Sequence, residues 1–455
     1  MGQLPNRFEQ SLSNSDRTVD ELPLPPGPKG MQKWQWLREW VRTKDVVDIM
    51  SKLFKLYGPI VRINDKTFIF CGAEAVRFVT LSDPTLVQRS PIAEDGPPTL
   101  AAKDGELHKK HRKIVMQAFR QEYLARYVTM MNEVVKKRLQ ELPQRFHVME
   151  KMRQLTLDVT VYAMLGIKID SPEYEQYFAE YWHLVNRGKK RAFPFHKRYQ
   201  RGMQAKEKLW SLMRRIRDNQ AGQENEDFLS ALLVISRQGE QAISEEELFG
   251  YAYMLTEFGE GDVALMITYA LALLLSRPDF MEQFQNEQKS LGTEPLTLDK
   301  INSMTFTLNL LREVERVYPP VPFILRYAAE NLSFMNYRIP KGSKLITSIV
   351  ETHRQPELFK EPEVFDPARF QAPQIEQNQP PALFGFGSGH HMCVAKTFTQ
   401  LQASVILHAL NLLYLCRLEG LQTVPKIDYR GAAKPESDII LHISPRNRKE
   451  EQFHG

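Results

Sequence analysis

Residues 384–395 read Phe-Gly-Phe-Gly-Ser-Gly-His-His-Met-Cys-Val-Ala, a glycine-rich stretch that leads to a single cysteine. Glycine carries no Cβ, so these glycines let the backbone turn tightly or approach a flat ligand closely. Cys393 lies where the loop gives way to an apolar, helical run over residues 395–413. The free N–H groups and the dipole at a helix N-terminus favour the thiolate form of a cysteine. The alternative interpretation is a buried structural cysteine beside a flexible loop.

Length and composition are those of an ordinary globular protein. The chain has 455 residues, of which 42% are hydrophobic and 25% charged, enough for a sizeable core. A net charge of +5 is mild and does not indicate a nucleic-acid partner. The three cysteines, Cys71, Cys393 and Cys416, are widely separated and odd in number. This argues against a disulfide framework and for a reducing, cytoplasmic compartment.

The N-terminal residues 1–22 are polar and predict a disordered segment, followed by a single domain over residues 23–450. A proline-rich stretch at residues 24–30 opens that domain. The sequence shows no uninterrupted apolar run of about 18 residues and no signal-peptide core at its start. We therefore expect a soluble protein with no membrane span.

The pattern around the cysteine resembles the haem-ligand signature of the cytochrome P450 family. Phe386, Gly389, His391, Cys393 and Ala395 match its phenylalanine, glycine, basic residue, cysteine and small residue. The family usually has arginine at the position of His391 and glycine at that of Ala395. The resemblance implies a mainly α fold with small β-sheets, the triangular prism of this family. It also implies haem b, with Phe386 beside it and Cys393 as the axial ligand of its iron.

Further basic residues match positions that hold the haem propionates in this family. His108 and Arg112 are four residues apart, so they share one face of a predicted helix. Guanidinium geometry suits a carboxylate, and the resemblance assigns Arg112 to one propionate and Arg326 to the second. His391 is the remaining candidate. The alternative for each residue by itself is a side chain exposed to solvent, or a core side chain whose hydrogen bonds are made within the protein.

A Glu-x-x-Arg pair and a later arginine also match the family. Glu313 and Arg316 are three residues apart on a predicted helix over residues 305–318, and Arg369 follows in the sequence Pro-Ala-Arg-Phe. An exposed pair of this kind contributes little to stability. In the family these residues form a buried network that braces the cysteine loop, so the resemblance implies an architectural role for all three.

A long helix is predicted from the capping box of Ser244 and Glu247 to Arg277, just before a proline. Its centre, residues 256–263, reads Thr-Glu-Phe-Gly-Glu-Gly-Asp-Val, which puts two glycines and three carboxylates into a buried helix. The family has a kinked Gly-x-acid-Thr segment over the haem here, and its threonine delivers protons to iron-bound dioxygen. Gly259 matches the glycine beside the cofactor.

The threonine itself is missing. In one register Asp262 stands in its place, and in the other Asp262 takes the acid position and Val263 that of the threonine. We expect Asp262 to be catalytic in proton delivery, with Glu260 behind it. The alternative is that the missing hydroxyl marks chemistry that does not use this route.

The resemblance also assigns residues to the substrate pocket. Its apolar wall is expected to contain Phe258, Val321, Phe323 and Ile324. A loop at residues 90–105, a basic aromatic loop at residues 187–195 and a hairpin at residues 435–440 are expected to contribute to the pocket or its lid. Such a lining suits a lipophilic small molecule.

The function implied by the resemblance is insertion of one oxygen atom from dioxygen into that molecule. The sequence has no flavin or iron–sulfur segment, so electrons are expected from a ferredoxin or flavodoxin with its reductase. Lys109, Lys110 and Lys113 would face such an acidic partner. A peroxygenase, dehydratase, isomerase or cyclase is the first alternative, and a haem-bound ligand carrier or sensor the second. A cysteine enzyme without haem is disfavoured, because no His–Asp or His–Asn pattern accompanies Cys393.

Overall fold

The computed structural model describes residues 18–43, 45–89, 99–185, 197–219, 226–238, 243–371 and 382–446. Helices dominate this part of the chain. They are α1 Met31–Thr43, α2 Val46–Tyr57, α3 Ala73–Leu81, α4 Gly105–Gln117, α5 Gln121–Gln140, α6 Val148–Leu165, α7 Pro172–Val185, α8 Lys197–Asn219, α9 Phe228–Gln238, α10 Glu245–Ser276, α11 Pro278–Leu291, α12 Leu298–Asn302, α13 Thr305–Val317, α14 Ile349–Thr352 and α15 Lys396–Leu413.

The strands are short and form small sheets. They are β1 Ile60–Asn64, β2 Thr67–Phe70, β3 Val87–Gln88, β4 Arg145–His147, β5 Phe323–Ala328, β6 Leu332–Phe334, β7 Tyr337–Ile339, β8 Lys344–Ser348, β9 Tyr414–Leu418, β10 Ile427–Asp428, β11 Lys434–Pro435 and β12 Ile440–Pro445. The largest sheet has the order β1-β2-β8-β5-β3, in which only the β2–β8 pair is parallel. The predicted fold class, mainly α with small β-sheets, is confirmed.

Local sequence features explain several of these bounds. Asp45 caps α2 by accepting hydrogen bonds from the N–H groups of Val47 and Asp48. The strands β1 and β2 form an antiparallel hairpin. Helices α5 and α6 are separated by β4. Pro143 lies in this break, where a helix would lose a backbone donor.

Helix α10 is the centre of the helical core. Ser244 and Glu247 form the predicted capping box, and the helix then continues without interruption to Ser276. A Cβ on Gly259 would lie 2.8 Å from Cγ2 of Thr160 in α6, so glycine permits this close helix packing. In the described part of the chain α10 is also the one helix long and apolar enough to cross a membrane, but 72% of its apolar window is buried inside the protein.

Part of the predicted periphery lies outside the described residues. This holds for residues 1–17, for most of the loop at residues 90–105 and for the loop at residues 187–195. Within the segment predicted to be disordered, Val19–Glu21 forms a 3-10 turn that is closed by a capping box between Thr18 and Glu21. Residues 18–22 therefore have defined structure before the proline-rich stretch.

Candidate active site

A cavity of about 300 Å³ lies between α10, α4, the turn before β5 and the loop that precedes α15. This volume is within the range of small-molecule sites, and most of the cavity lining is apolar. The polar lining residues are Arg89, His108, Arg112, Asp262, Glu315, His391, Cys393 and Thr399. The cavity therefore brings Cys393 together with most of the residues predicted around it.

Hydrogen bonds within the glycine-rich loop hold the cysteine. The N–H group of Cys393 donates to the carbonyl of Phe386 at 2.8 Å. Gly387 and Gly389 have φ angles of +78° and +68°, in the left-handed region that favours glycine. A Cβ on Gly389 would also lie 2.0 Å from the carbonyl oxygen of Thr80. The loop thus requires glycine for its turn and for its contact with α3.

The environment of the thiol opposes ionisation in the protein alone. Burial raises the pKa of Cys393, and nearby Asp262 adds to this effect. The N–H group of Ala395 and the charges of Arg112 and Lys396 act in the opposite direction. The helix N-terminus is thus one influence among several, whereas a coordinated metal ion deprotonates a thiol outright.

Glu315 packs against the cysteine loop and was not among the residues predicted from the sequence. Its side chain is buried, and its Oε1 accepts a hydrogen bond from the N–H group of Phe386 at 3.4 Å. A Cβ on Gly385 would lie 2.5 Å from Cγ of Glu315, so only glycine fits above it. Lys396 lies 3.7 Å from its Oε2. The sequence signal that could have identified Glu315 is its place inside the Glu-x-x-Arg motif, between Glu313 and Arg316. The family resemblance gave that position no role.

The structure brings Glu313, Arg316 and Arg369 together in a buried network. Arg316 donates two hydrogen bonds to the Glu313 carboxylate at 2.7 and 2.8 Å, and Arg369 donates a third at 3.1 Å. The side chains are only 0–4% exposed. The remaining Arg316 donors reach the carbonyls of His353, Pro362 and Val364.

His353 connects this network to the cysteine loop and was missed by the sequence analysis. Its Nε2 accepts a hydrogen bond from the N–H group of Phe384 at 3.1 Å, and its Nδ1 lies 3.1 Å from the carbonyl oxygen of Arg316. A carbonyl can only accept, so Nδ1 carries the proton of the neutral ring. His353 is fully buried, and its neutral ring joins Arg316 of α13 to Phe384 at the start of the cysteine loop.

His353 predicts a pH dependence of stability. Burial lowers its pKa from 6.5 to about 3. Between these values the unfolded state binds more protons than the folded state, so the contribution of His353 is full above pH 6.5 and is lost as the pH falls. We expect His353→Gln, whose amide can replace both hydrogen bonds, to reduce the loss of unfolding free energy between pH 7 and 5, measured in urea. An identical loss in both proteins would contradict this.

Three of the four predicted propionate residues line one side of the cavity. The rings of His108 and His391 are 4.0 Å apart, and both line the cavity with Arg112. Burial lowers the pKa of His108 to about 3, so its ring is neutral. Arg326 is buried on β5 close to His391, but it is not among the residues that line the cavity.

The structure turns the side chain of Glu260 away from the cavity. It accepts hydrogen bonds from Arg153 and, at 3.4 Å, from the hydroxyl of Tyr181. Residues two apart on an α-helix differ by about 200° around its axis, so Asp262 and Glu260 face opposite sides. Asp262 lines the cavity, whereas Glu260 does not. Glu260 therefore does not contact the cavity, and its catalytic role behind Asp262 stays a prediction.

Asp262 faces the cavity beside Gly259 and Phe258. Burial, together with the nearby charge of Glu260, raises the pKa of Asp262 to about 6. Phe258 remains 60% exposed and forms part of the open cavity wall. The carboxyl group can therefore exchange a proton near neutral pH at the point where α10 meets the cavity.

Phe323 requires a correction. Val321 and Ile324 line the cavity as predicted, but Phe323 packs against the cluster formed by α2 and β1. Successive side chains of a strand point to opposite faces, so Phe323 and Ile324 cannot both face the cavity. The hairpin predicted at residues 435–440 contributes no lining residue either.

Known proteins resemble this chain over almost its whole length. The family model described as cytochrome P450 matches residues 25–443, so the chain belongs to the cytochrome P450 family. It is accordingly an oxidoreductase of the monooxygenase class, and the family implies a haem-iron cofactor. The resemblance inferred from the cysteine motif is thereby confirmed.

Individual relatives have low sequence identity to this chain but align with most of its length. Putative cytochrome P450 120 of Synechocystis sp. is 29% identical over 411 residues, which cover 86% of this chain and 90% of the relative. Abscisic acid 8'-hydroxylase 2 of Oryza sativa subsp. indica is 25% identical and covers 95% and 88%. The solved structure of retinoic acid bound cyanobacterial CYP120A1 has a TM-score of 0.79 and 26% identity, over 94% of this chain and 100% of that one.

The residues present fit a haem. The cavity contains Cys393, a donor suited to iron, and Gly385 and Gly387 line the cavity beside it. Nδ1 of His391 is buried without a hydrogen-bond partner among the described residues. Arginines line the same side, as carboxylate groups require.

Proposed function

We propose that the protein is a haem-thiolate monooxygenase that inserts one atom of dioxygen into a lipophilic small molecule. The observation that carries this proposal is a cysteine facing an apolar cavity, with basic residues on one side and Asp262 on the helix that crosses it. The solved structure CYP120A1 is described as retinoic acid bound, and the Oryza sativa relative is named for abscisic acid; both molecules are isoprenoids. We therefore place isoprenoids first among the substrate classes.

The haem would be haem b, held in a single domain over residues 23–450. Cys393 would ligate its iron, Phe386 and Gly259 would contact the ring, and four basic residues would hold the propionates. Those four are His108, Arg112, Arg326 and His391. When bound, the iron activates dioxygen, and electron donation from the thiolate favours O–O cleavage.

The protein's own part in the reaction is to bind substrate, exclude water and supply protons. Val321, Ile324 and Phe258 provide apolar surface that desolvates a lipophilic substrate. Asp262 takes the role of the family's threonine. Its carboxyl group, with a pKa raised to about 6 by burial, holds a proton at the cavity surface and regains it from solvent.

Asp262→Ala is expected to uncouple reductant consumption from product formation. The alanine cannot hold or transfer a proton, and a positioned acid–base group typically contributes about 100-fold or more to a proton-dependent step. The measurement is product formed per NADPH consumed in a reconstituted system. Asp262→Asn, which keeps the shape but not the acid, should behave like alanine. Unchanged coupling in both variants would remove Asp262 from the mechanism.

Electrons would come from a ferredoxin or flavodoxin with its reductase. Lys109, Lys110 and Lys113 are exposed on α4, and Met392 beside Cys393 is 40% exposed. A basic face with an apolar patch near the cysteine suits an acidic electron-transfer protein. Cys71, Cys393 and Cys416 are free thiols, which supports a soluble protein in the reducing cytoplasm.

A redox-neutral or peroxide-driven reaction is the second candidate, because Asp262 replaces the usual threonine. One experiment separates the two functions. The protein is incubated with an isoprenoid library, a ferredoxin pair and heavy-isotope dioxygen, and products are analysed by mass spectrometry. One heavy oxygen atom in a product establishes monooxygenation. Conversion without label, with peroxide or without reductant, would overturn the proposal in favour of the second candidate.

A further inference from the structure

Two residues outside the family motifs connect the basic side of the cavity. Asp104 occupies the N-cap position of α4, yet its side chain makes no capping hydrogen bond. Its Oδ1 instead lies 2.8 Å from Nε2 of His391, and its Oδ2 accepts a hydrogen bond from the N–H group of Arg89 at 2.8 Å. An N-cap aspartate normally satisfies the first N–H groups of its helix. Asp104 gives up that role to join Arg89 to the cysteine loop.

The charges of this cluster do not balance. Arg89 and Arg112 line the cavity, and Arg326 is buried close enough to Arg89 for the two charges to repel each other. In the described part of the chain none of these guanidinium groups forms a salt bridge, and Asp104 is the carboxylate whose charge acts on Arg89 and Arg326. Arg326 is buried, and Arg89 and Arg112 are partly buried, so three cations beside one anion are unfavourable unless further anions bind.

Among these four residues the surplus equals two positive charges, because Arg89, Arg112 and Arg326 carry three and Asp104 carries one negative charge. His108 adds none, since burial keeps its ring neutral. A haem carries two propionates. The charges of the cluster and of the two propionates would therefore neutralise each other.

We propose that Arg89 binds a haem propionate directly and that Asp104 is the positioning residue for both Arg89 and His391. This inference rests on the proposed haem site and adds two residues to it. Asp104 fixes the backbone at the end of β3 through Arg89 and the imidazole ring through Nε2. Its charge also sets the balance, because without it the cluster would exceed the charge of the two propionates.

The test compares haem with its dimethyl ester, which lacks both propionate charges. Release of each from the holoprotein to excess apomyoglobin is followed by absorbance. Arg89→Met should release haem about tenfold faster or more, as expected for loss of one charge-assisted hydrogen bond. Release of the ester should be the same in wild type and variant. Lys110→Met, which removes an exposed cation from α4, is the matched control and should change neither rate.

Asp104→Asn distinguishes two roles of the carboxylate: positioning Arg89 and His391, or only lowering the local positive potential. If the carboxylate only lowers the local positive potential, its removal should slow haem release. Our proposal expects faster release, because Arg89 and His391 lose their common anchor, and expects little change for the ester. Slower or unchanged haem release would overturn the role of Asp104.

The outcomes for Arg89 are equally distinct. Equal acceleration with haem and ester, or none with haem, would overturn its contact with a propionate. Should Arg89→Met fail to fold, Arg89→Lys keeps the charge without the guanidinium fork and should still release haem faster than wild type. A wild-type protein that takes up no haem would overturn the proposed function itself, which distinguishes that failure from failure of this inference.

Discussion

Cys393→Ser is expected to abolish the red-shifted Soret band of the reduced, CO-bound protein. A thiolate donates electron density to the iron, whereas a serine hydroxyl at the same place is a weak, neutral ligand. Cys393 is the cysteine that lines the cavity, held there by its hydrogen bond to Phe386. The measurement is the difference spectrum after dithionite and CO, recorded on protein reconstituted with haem.

Cys416→Ser is the matched control for this substitution. Its thiol is also free and partly buried, and burial raises its pKa to about 11, but it lies outside the cavity. It should leave the band unchanged. A red-shifted band that persists in Cys393→Ser would mean that another residue ligates the iron, and the proposed cofactor site would then be wrong.

Local sequence signals predicted much of the fold because they act over a few residues. The capping box of Ser244 and Glu247 defined the start of α10, and the glycines of residues 384–395 indicated the turn that the φ angles of Gly387 and Gly389 show. Such signals depend on backbone geometry alone. They fix where an element begins or turns, whatever packs against it.

The sequence predicted less about which way a side chain faces. Glu260 and Asp262 are two residues apart in one polar stretch, and only the packing of α10 on α6 decides which of them reaches the cavity. Phe323 and Ile324 likewise differ only by strand alternation. The phase of a helix or strand is set by its partners, which a single sequence does not show.

Contacts between segments that are distant in the sequence were the hardest to predict. Asp104 and His391 are separated by 287 residues, and Glu315 meets Phe386 across 71. Neither acidic residue belongs to a pattern of its own. Their roles follow from the tertiary structure, which places each carboxylate next to the one loop that carries the cysteine.

Glu313→Gln is expected to lower the free energy of unfolding by about 3–5 kcal/mol, the usual cost of breaking a buried ion pair from one side. Arg316 would remain buried beside a neutral amide in place of the carboxylate that accepts two of its hydrogen bonds, and Arg369 would lose the hydrogen bond that it donates to Glu313. Glu419→Gln is the matched control. Arg145 donates two hydrogen bonds to Glu419, but this pair is exposed to solvent, so its loss should have a much smaller effect. Equal effects in urea would contradict a buried network.

The same substitution should also affect the cysteine loop before the protein unfolds. Arg316 reaches that loop through its carbonyl oxygen, His353 and the N–H group of Phe384. Loosening Arg316 therefore frees the start of the loop whose glycines hold Cys393 in place. We expect Glu313→Gln to lose the thiolate Soret band at a urea concentration below that which unfolds the helices, measured by circular dichroism. Coincident transitions would show that the network stabilises the whole domain without specifically bracing the loop.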